Sequence, residues 1–355
     1  MRQLSSIEIH VIIDELKSLV RARVDKIGSL EDGIVIQFYV TSSGKKQLLI
    51  KPPKYITLGS AAAGQSSEFC MALRKHLEGA RLVSMSQMKM ERIMEFHFSH
   101  DITLIAEMFS KGNLMLTDST GKILSCWQNQ QWGSRQLRPG LKYEPPKGAG
   151  EMSEEAIYSM IAASGKDSLV KAIAMDIGVG GLYSEETCLE CGVDKLQKPA
   201  SISRDEASKI TACIGRMLAE QPKPLMVYKD SKLIDVIPFS LKYYSSEELR
   251  PASSFSEAIV QVVESQAPKP NKRIDSLRAI INQQQEQIAT LKQDIEENTA
   301  KAELIYTNYQ VISGILQELA AIKEKQGLRQ AMLHAKSLGL EINEKEGTVA
   351  VELEK

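Results

Sequence analysis

The sequence has few aromatic residues, few cysteines and no long hydrophobic run. Aromatics make up 5% of the 355 residues, and the five cysteines are odd in number and scattered. Such a set is typical of a reducing compartment rather than of a disulfide framework. No run approaches the ~18 apolar residues of a membrane span, and Glu8, Asp14 and Glu15 interrupt the stretch where a signal peptide requires apolar residues. We therefore expect a cytoplasmic protein.

Motifs for metal, nucleotide and cofactor chemistry are also missing. Cys188 and Cys191 form a C-x-x-C pair, but a structural zinc site needs a second pair of ligands at suitable spacing, and none follows. We expect packed thiols there, because free cysteine commonly packs as a small apolar residue. Walker A, dinucleotide-binding glycine and HExxH patterns are absent from the sequence. The sequence therefore predicts no metal and no cofactor.

Charge is unevenly distributed along a chain whose net charge is −1. Residues 1–148 carry 20 Lys and Arg against 14 Asp and Glu, a net charge of +6, whereas residues 149–270 carry 13 against 18, a net charge of −5. A localised excess of cations is typical of a nucleic-acid footprint, although this excess is modest. The charge distribution alone does not distinguish an ordinary solvated surface from an RNA-binding or a DNA-binding surface.

The first 148 residues have the pattern of an antiparallel β structure with two helices. Ser5 and Glu8 are spaced as a capping box, which predicts a helix to about Val20. Alternating segments follow at 34–40, 47–50, 92–98, 103–109, 113–117 and 123–127, separated by turn signals. Prolines and glycines in 137–148 mark a boundary. The sequence therefore predicts an α+β protein with a β-rich domain over 1–148.

The next 120 or so residues divide into a helical domain over 149–222 and a strand pair with a connector over 223–267. The helical domain contains a glycine-rich segment at 176–181. Glycines before a helix can present backbone amides to a phosphate, or can simply form a tight turn between helices. The sequence leaves both interpretations open.

An apolar heptad pattern predicts a single coiled-coil helix over 268–325, followed by the start of a further domain over 326–355. Gln284 and Asn298 are polar positions within this seam, and such positions fix the register of a defined partner. That partner is either a second copy of the chain or a returning helix, so self-association is expected if no helix returns. The apolar seam residues are Ile274, Leu277, Ile281, Ile288, Leu291, Ile295, Ile305, Ile312, Leu316 and Leu319.

One motif carries a family resemblance. The string FCMALRKHLEGARL at 69–82 places Phe69, Leu73 and Leu77 on one helix face and cations on the other. It resembles a signature of the NFACT family of ribosome quality control factors, and segments at 22–27, 90–93 and 111–118 resemble the same family. The resemblance runs through about the first 340 residues. It implies that the chain is the N-terminal part of a longer protein.

The resemblance implies a fold and a function. The family's N-terminal region is similar to formamidopyrimidine-type DNA glycosylases, with a β-rich domain followed by a helix-two-turn-helix module. Family members bind obstructed large ribosomal subunits that hold peptidyl-tRNA, and position tRNA while the subunit's own peptidyl transferase extends the stalled chain with a C-terminal tail. The implied partners are the large subunit, with its rRNA and proteins, tRNA and peptidyl-tRNA.

The resemblance also implies site residues. An acidic residue in the first helix and an acid–arginine pair matter for tRNA in the family, and the matching residues are Glu8, Glu91 and Arg92. Both acids are Asp in the usual family pattern, so the reach of each side chain differs here. From the residues alone, Glu8 serves a capping box and Glu91 with Arg92 form a surface ion pair. Further candidates for phosphate contacts are Arg74, Lys75, Arg81, Lys89, Arg135 and Arg138; Trp127, Trp132 and Tyr143 are candidates for base stacking or for packing.

Two other functions stay open. Some bacterial family members are described as fibronectin-binding, which makes a surface adhesin one alternative. A non-catalytic protein that binds DNA lesions is the other. Glycosylase activity itself is not expected, because those enzymes use an N-terminal proline amine as nucleophile and this chain begins Met1-Arg2-Gln3. The protein is expected not to be an enzyme.

Overall fold

The computed structural model describes residues 2–64, 67–133, 135–146, 152–266, 272–343 and 348–351. The chain forms two compact units that divide between residues 267 and 268. The predicted boundaries near residues 148 and 222 fall inside the first unit and stay predictions. None of the described helices is both long enough and apolar enough to cross a membrane.

The first helix, α1 (Ser6–Leu16), begins at the predicted capping box. The Ser5 hydroxyl accepts a hydrogen bond from the Glu8 amide, and the Glu8 carboxylate accepts one from the Ser5 amide. The helix ends four residues earlier than predicted and continues as one 3₁₀ turn, Lys17–Leu19. It ends there because Arg21 adopts a left-handed conformation (φ 70°) and its amide donates to the Leu82 carbonyl, which turns the chain into the first strand.

Two antiparallel sheets make up most of the first 130 residues. The first sheet has four strands in chain order, β1 (Arg23–Leu30), β2 (Gly33–Val40), β3 (Gly44–Lys51) and β4 (Tyr55–Gly59). The second has five, β5 (Leu82–Gln87), β6 (Ile93–Phe98), β7 (Ile102–Glu107), β8 (Asn113–Thr117) and β9 (Ile123–Cys126). A short hairpin of β10 (Gln130–Trp132) and β11 (Arg135–Leu137) follows. Several predicted segments are confirmed, whereas the pattern did not predict β1 or β4.

Helix α2 (Glu68–Leu77) packs its apolar face against β1. The sequence predicted the apolar face but not the strand on which it packs. Phe69, Cys70, Leu73 and Leu77 are buried on this face. The chain after α2 pairs with the start of β1. The Val24 amide donates to the Ala80 carbonyl, and the Leu82 amide donates to the Ala22 carbonyl. This pairing joins the two sheets into one layered core.

The helical part of the first unit consists of four α-helices: α3 (Glu154–Ala162), the short α4 (Leu169–Ala172), α5 (Gly181–Cys191) and α6 (Arg204–Ala219). Helix α4 continues into a π-helical turn, Ile173–Ile177. The cysteines in this part are free; Cys188 and Cys213 are buried and Cys191 is half-buried. Packing rather than disulfide formation therefore accounts for these thiols.

The predicted strand pair is confirmed and gains a third strand. Strands β12 (Leu225–Lys229), β13 (Lys232–Ile237) and β14 (Glu248–Pro251) form one sheet, and helix α7 (Phe255–Ser265) packs on β13 and β4. Glu15 of α1 caps α7, because its carboxylate accepts the amides of Phe255 (2.5 Å) and Ser256 (2.9 Å). The two ends of this unit are therefore joined, and the α+β class is confirmed.

Within its described residues, the second unit has three helices and a hairpin: α8 (Lys272–Thr307), α9 (Tyr309–Gln326), α10 (Leu328–Ser337), β15 (Glu341–Asn343) and β16 (Thr348–Ala350). The predicted single coiled-coil helix is therefore wrong in one respect, since Asn308 separates α8 from α9. Gly327 (φ 85°) then reverses the chain, so that α10 packs on α9. Residues 268–271 and the Ile274 side chain lie outside the described residues.

The predicted seam is largely exposed along α8. Leu277, Ile281, Ile288, Leu291, Ile295 and Ile305 are each at least half exposed. On α9, Ile312, Leu316 and Leu319 line an apolar groove together with residues of α10 and β16. The second unit's own chain therefore covers part of the C-terminal end of the seam, and Leu316 stays 61% exposed.

Candidate nucleic-acid interface

A cleft of about 860 Å³ opens where the β-rich and helical parts of the first unit meet. The turn between β5 and β6 supplies Glu91 and Arg92 to one wall. The loop between α3 and α4 supplies Ser164 and Lys166, and the glycine-rich turn before α5 supplies Gly178 and Gly180 to the opposite wall. Two of the three residues implied by the family resemblance therefore line this cleft.

Arg92 is held at the rim of the cleft by its backbone. Its carbonyl accepts the Met108 amide (2.7 Å), which fixes the first residue before β6. Its side chain is half-buried, and the guanidinium donates to the Gln3 side-chain oxygen (3.0 Å). Within the described ranges no carboxylate forms a salt bridge with Arg92. Arg92 is therefore held in place, and its side-chain hydrogen bond within the described residues goes to a neutral acceptor.

Burial lowers the pKa of Arg92, and the charge of the adjacent Glu91 opposes this effect. A lowered pKa means that the surroundings favour the charged guanidinium less than water does. A bound anion would reverse this imbalance, since an opposite charge stabilises the cation. Arginine also fits phosphate with two parallel N–H donors. Arg92 therefore has the charge and the geometry for a phosphate ligand.

The opposite wall carries the N-terminus of α5. Gly178 and Gly180 have φ values of 90° and 84°, a conformation that side-chain-bearing residues rarely adopt. Gly180 is the N-cap residue, and no side chain caps the helix. The first-turn amides of a helix carry partial positive charge and bind anions well. Lys166 adds a full positive charge to the same wall, and the sequence analysis did not identify it.

Close packing at Gly180 joins this turn to α1. A Cβ atom at Gly180 would lie 3.2 Å from the Ser5 Cβ, a tight contact that would require Ser5 to shift, and the φ angle itself favours glycine. The Ser6 hydroxyl donates to the Gly178 carbonyl (2.8 Å). The N-termini of α1 and α5 therefore meet beside the cleft.

Glu8 lies beneath this meeting point and is fully buried. Its carboxylate accepts hydrogen bonds from the Arg2 guanidinium, the Ser5 amide (2.8 Å) and the Tyr183 hydroxyl (3.1 Å). Arg2 also pairs with Asp235 (2.7 Å). The predicted contact of Glu8 with tRNA stays a prediction, but in this structure the carboxylate is already fully engaged. Its observed role is to hold α1, α5 and β13 together.

The carboxylates around Arg2 act on its pKa. Burial lowers the pKa, whereas the charge and hydrogen bonds of Glu8 and the charge of Asp235 raise it, and the net effect is a pKa well above the ordinary value. Arg2 is therefore a permanent cation in this network. The negative charge of Glu8 faces Arg2 rather than the cleft.

Gln87 connects the same network to the turn that carries Arg92. Its side-chain amide donates to the carbonyls of Ser6 and Glu91, both at 2.9 Å. The side-chain oxygen of Gln87 is buried and has no hydrogen-bond partner among the described residues. This amide therefore fixes the distance between the start of α1 and the rim of the cleft.

The other predicted phosphate contacts lie outside the cleft lining. Lys75, Arg81, Lys89 and Arg138 are exposed, and Arg74 is half-buried. Arg74 donates to the Ile27 carbonyl (2.8 Å), and Arg81 donates to the Arg21 carbonyl (3.1 Å). These cations do not converge on one site, and their contacts with RNA stay predictions.

Arg135 has a structural role instead. Its side chain is 14% exposed and forms a salt bridge with Glu107, which is buried. The guanidinium also lies 5.8 Å from the ring centre of Trp132 and 5.6 Å from that of Tyr143. The Tyr143 hydroxyl donates to the Glu107 carboxylate (2.9 Å). Arg135 and Tyr143 are therefore engaged inside the protein, and Trp132 is the more exposed ring of this group.

The family described as the NFACT N-terminal and middle domains matches residues 5–333. The chain belongs to the NFACT family. The resemblance of the motif at 69–82 is thereby confirmed over most of the chain.

Several curated relatives carry names that refer to ribosome quality control. The archaeal Rqc2 homologue aRqcH of Methanocaldococcus jannaschii is 28% identical over 355 residues, covering 91% of this chain and 53% of the relative. The ribosome quality control complex subunit NEMF of Mus musculus is 29% identical over 160 residues, covering 42% of this chain and 15% of NEMF. The Rqc2 homologue RqcH of Streptococcus pneumoniae is 34% identical over 158 residues, covering 39% of this chain and 29% of RqcH. The chain thus spans about half the length of the archaeal relative and less of the others.

Two solved structures share the fold of the first part of the chain. The fibrinogen-binding protein of Staphylococcus aureus has a TM-score of 0.58 at 19% identity, covering 72% of this chain and 97% of that one. The N-terminal part of the fibronectin/fibrinogen-binding protein of Streptococcus suis has a TM-score of 0.58 at 21% identity, covering 74% of this chain and 100% of that one. At these identities the likeness extends to the fold alone.

Proposed function

We propose that this chain is the tRNA-holding part of a ribosome quality control factor that binds obstructed large ribosomal subunits carrying peptidyl-tRNA. In this proposal it works in the cytoplasm and positions tRNA, while the ribosome's own peptidyl transferase adds the C-terminal tail. The protein contributes placement and no bond chemistry. The names of the archaeal, mouse and pneumococcal relatives support the ribosomal setting.

One observation carries the proposal. Arg92 is a half-buried cation whose described side-chain partner is a neutral amide oxygen, and it lines the same cleft as the glycine-rich turn at the uncapped N-terminus of α5. A phosphate group bound in the cleft could accept N–H donors from the Arg92 fork and from the first turn of α5. Glu91 and Asp176 also line the cleft and offset the charges of Arg92 and Lys166. The pairing of a charged fork with backbone amides is a common way in which proteins contact nucleic-acid backbones.

The remaining residues have supporting roles in this proposal. Lys166 adds charge to the wall formed by the helical part. Glu91 lowers the net charge of the rim. Glu8 acts through position, because its carboxylate fixes the ends of α1 and α5 on which the cleft depends.

The test is co-sedimentation of the protein with purified large subunits that carry peptidyl-tRNA, compared with empty subunits and intact ribosomes at two salt concentrations. Arg92→Ala is expected to weaken binding by about 10- to 100-fold, the effect of losing a hydrogen bond to a charged group (about 1.5 to 3 kcal/mol). Binding of the wild type is expected to fall as salt rises, since phosphate contacts release counterions.

Matched variants make the result specific. Lys232→Ala removes an exposed cation of β13 that does not line the cleft, and we expect it to bind as the wild type does. Arg92→Lys keeps the charge but loses the planar fork, so an intermediate affinity is expected. Equal binding by Arg92→Ala and Lys232→Ala, with both variants folded, would exclude the cleft as the tRNA site.

A further inference from the structure

A second basic surface crosses the outer face of the first sheet. Lys45 of β3 pairs with Tyr39 of β2, Tyr39 pairs with Arg23 of β1, and Arg23 pairs with Arg81 through an isolated bridge. Directly paired residues of antiparallel strands place their side chains on the same face. These four residues, which we call the basic row, therefore form one line across neighbouring strands.

The basic row is open to solvent. Tyr39 is 48% exposed, the Lys45 side chain is 62% exposed, and Arg23 and Arg81 are exposed. Adjacent strands are about 4.8 Å apart, so the row extends about 14 Å. Tyr39 is one of the few large apolar side chains of the sheets that reach the surface, and it lies between two cations.

The arginines of this surface have few acidic partners. No carboxylate in the described part of the chain forms a salt bridge with Arg21, Arg23 or Arg81. The Arg81 guanidinium instead donates to the Arg21 carbonyl (3.1 Å). Asp25 pairs with Lys45 of the row (3.3 Å) and also accepts a hydrogen bond from the Gln37 side chain (2.6 Å). The surface therefore keeps an excess of positive charge.

The backbone holds these cations together. Arg21 has a left-handed conformation (φ 70°), which costs about 1 kcal/mol or more for a residue other than glycine. Its amide donates to the Leu82 carbonyl (2.7 Å), while its carbonyl faces the Arg81 guanidinium. At the other side, the Arg81 amide donates to the Ser99 hydroxyl (3.1 Å). The positions of Arg21 and Arg81 are therefore fixed relative to each other.

We infer that the basic row binds a single-stranded or looped segment of RNA, with Tyr39 stacking on one base and the arginines contacting the neighbouring phosphates. An exposed aromatic ring on a sheet face is suited to stack an unpaired base, and flanking cations follow the backbone. Arginine forks match phosphate oxygens. An acidic peptide would pair with the cations but would offer no base to stack on the Tyr39 ring.

This inference rests on the proposed function for its setting, in which the protein meets both tRNA and ribosomal RNA. It adds an RNA contact made by the sheet face, whose residues do not line the cleft. Its test uses bare RNA, so its outcome is separate from that of the co-sedimentation experiment.

The probe is a fluorescein-labelled, single-stranded 12-nucleotide RNA of mixed sequence, titrated with the protein between 50 and 200 mM salt. For single strands the slope of log K against log salt changes by about 0.7 per phosphate contact, so Arg23→Ala/Arg81→Ala is expected to reduce the slope by about 1.4. Tyr39→Ala is expected to weaken binding on the order of tenfold, and Tyr39→Phe is expected to restore it because the ring remains.

Controls separate this surface from general charge effects and from the cleft. Lys223→Ala/Lys232→Ala removes the same charge from exposed positions elsewhere in the first unit and is expected to keep the wild-type slope. The Arg23→Ala/Arg81→Ala effect is expected to persist in an Arg92→Ala background. Arg81 also donates to the Arg21 carbonyl, so replacing it changes the structure as well as the charge. Arg23→Ala is therefore also tested as a single variant, with a melting curve to check its folding, and is expected to reduce the slope by about 0.7.

Three results would overturn the inference. The first is no binding of the RNA by the wild type, and the second is an equal slope for the row variant and its charge control. The third is equal affinity for poly-glutamate used as a competitor, which would indicate an acidic-protein surface. In any of these cases the role of Arg92 in subunit binding is still decided by co-sedimentation.

Discussion

Replacing Glu8 by alanine is expected to destabilise the first unit much more than the same change at Glu206. Both residues are the glutamates of capping boxes, Glu8 in α1 and Glu206 in α6. Their surroundings differ, since Glu8 is fully buried against Arg2 and Tyr183, whereas Glu206 is partly exposed and bonds to Ser203 and Gln197. The comparison keeps the local motif constant and varies only burial and charge pairing.

The expected loss of stability follows from the donors, Arg2 and Tyr183, that lose the Glu8 carboxylate as their acceptor. Removing one member of a buried ion pair costs about 3 to 5 kcal/mol. We expect the lower end, about 3 kcal/mol, because the Arg2 side chain is 30% exposed and keeps Asp235. One kcal/mol shifts the melting temperature of a unit of this size by about 2 to 4 °C. Glu8→Ala should therefore lower the melting temperature by about 6 to 12 °C, and Glu206→Ala, at about 1 kcal/mol, by about 2 to 4 °C.

Calorimetry or circular dichroism of the single and double variants would measure these shifts. Combining Glu8→Ala with Arg2→Ala is expected to cost less than the sum of the single changes, since each removes the same interaction. Equal melting temperatures for Glu8→Ala and Glu206→Ala would refute the buried network. Additive effects of the Arg2 and Glu8 changes would show that the two residues act independently.

Three further predictions concern residues outside this network. Arg135→Lys is expected to lower the free energy of unfolding by about 1 to 3 kcal/mol, because an ammonium group cannot fork onto the buried Glu107; an unchanged urea midpoint would contradict this. Three tyrosine hydroxyls buried beside carboxylates have a raised pKa: Tyr143, Tyr183 and Tyr244. They should stay protonated above pH 10 in an ultraviolet titration, and stability should fall as pH rises past 10, since the unfolded chain releases protons first. Interaction with Cys213 lowers the pKa of Cys191, whereas burial raises the pKa of Cys188 to about 12; iodoacetamide should therefore label Cys191 before Cys188, as peptide mass spectrometry can show.

Local patterns predicted the elements that depend on local forces. The apolar face of α2 follows from residues three and four apart, and the structure buries Phe69, Leu73 and Leu77 as expected. The capping box of α1 was readable from Ser5 and Glu8 for the same reason. The helix break at Asn308 could not be predicted, because the heptad pattern continues through it without an inserted proline or glycine.

The candidate cleft could be predicted only in part. The family resemblance pointed to Arg92, but the contact that fixes its side chain comes from Gln3, 89 residues earlier. Lys166 lies in a short polar loop with no motif of its own, so no sequence signal identified it. Arg2 and its partner Asp235 lie 233 residues apart in the sequence. No periodicity or local spacing in the sequence predicts such a contact.

The contacts that join the two ends of the first unit also set an order for its biosynthesis. Helix α1 is translated early, yet the Arg2–Asp235 pair and the Glu15 cap on Ser256 require segments made more than 200 residues later. At about 5 to 20 residues per second, α1 waits on the order of 10 to 50 s for these partners. A nascent chain arrested before residue 235 would therefore lack both of these polar contacts, although the strands β4 and β5 against which α1 also packs would already be made.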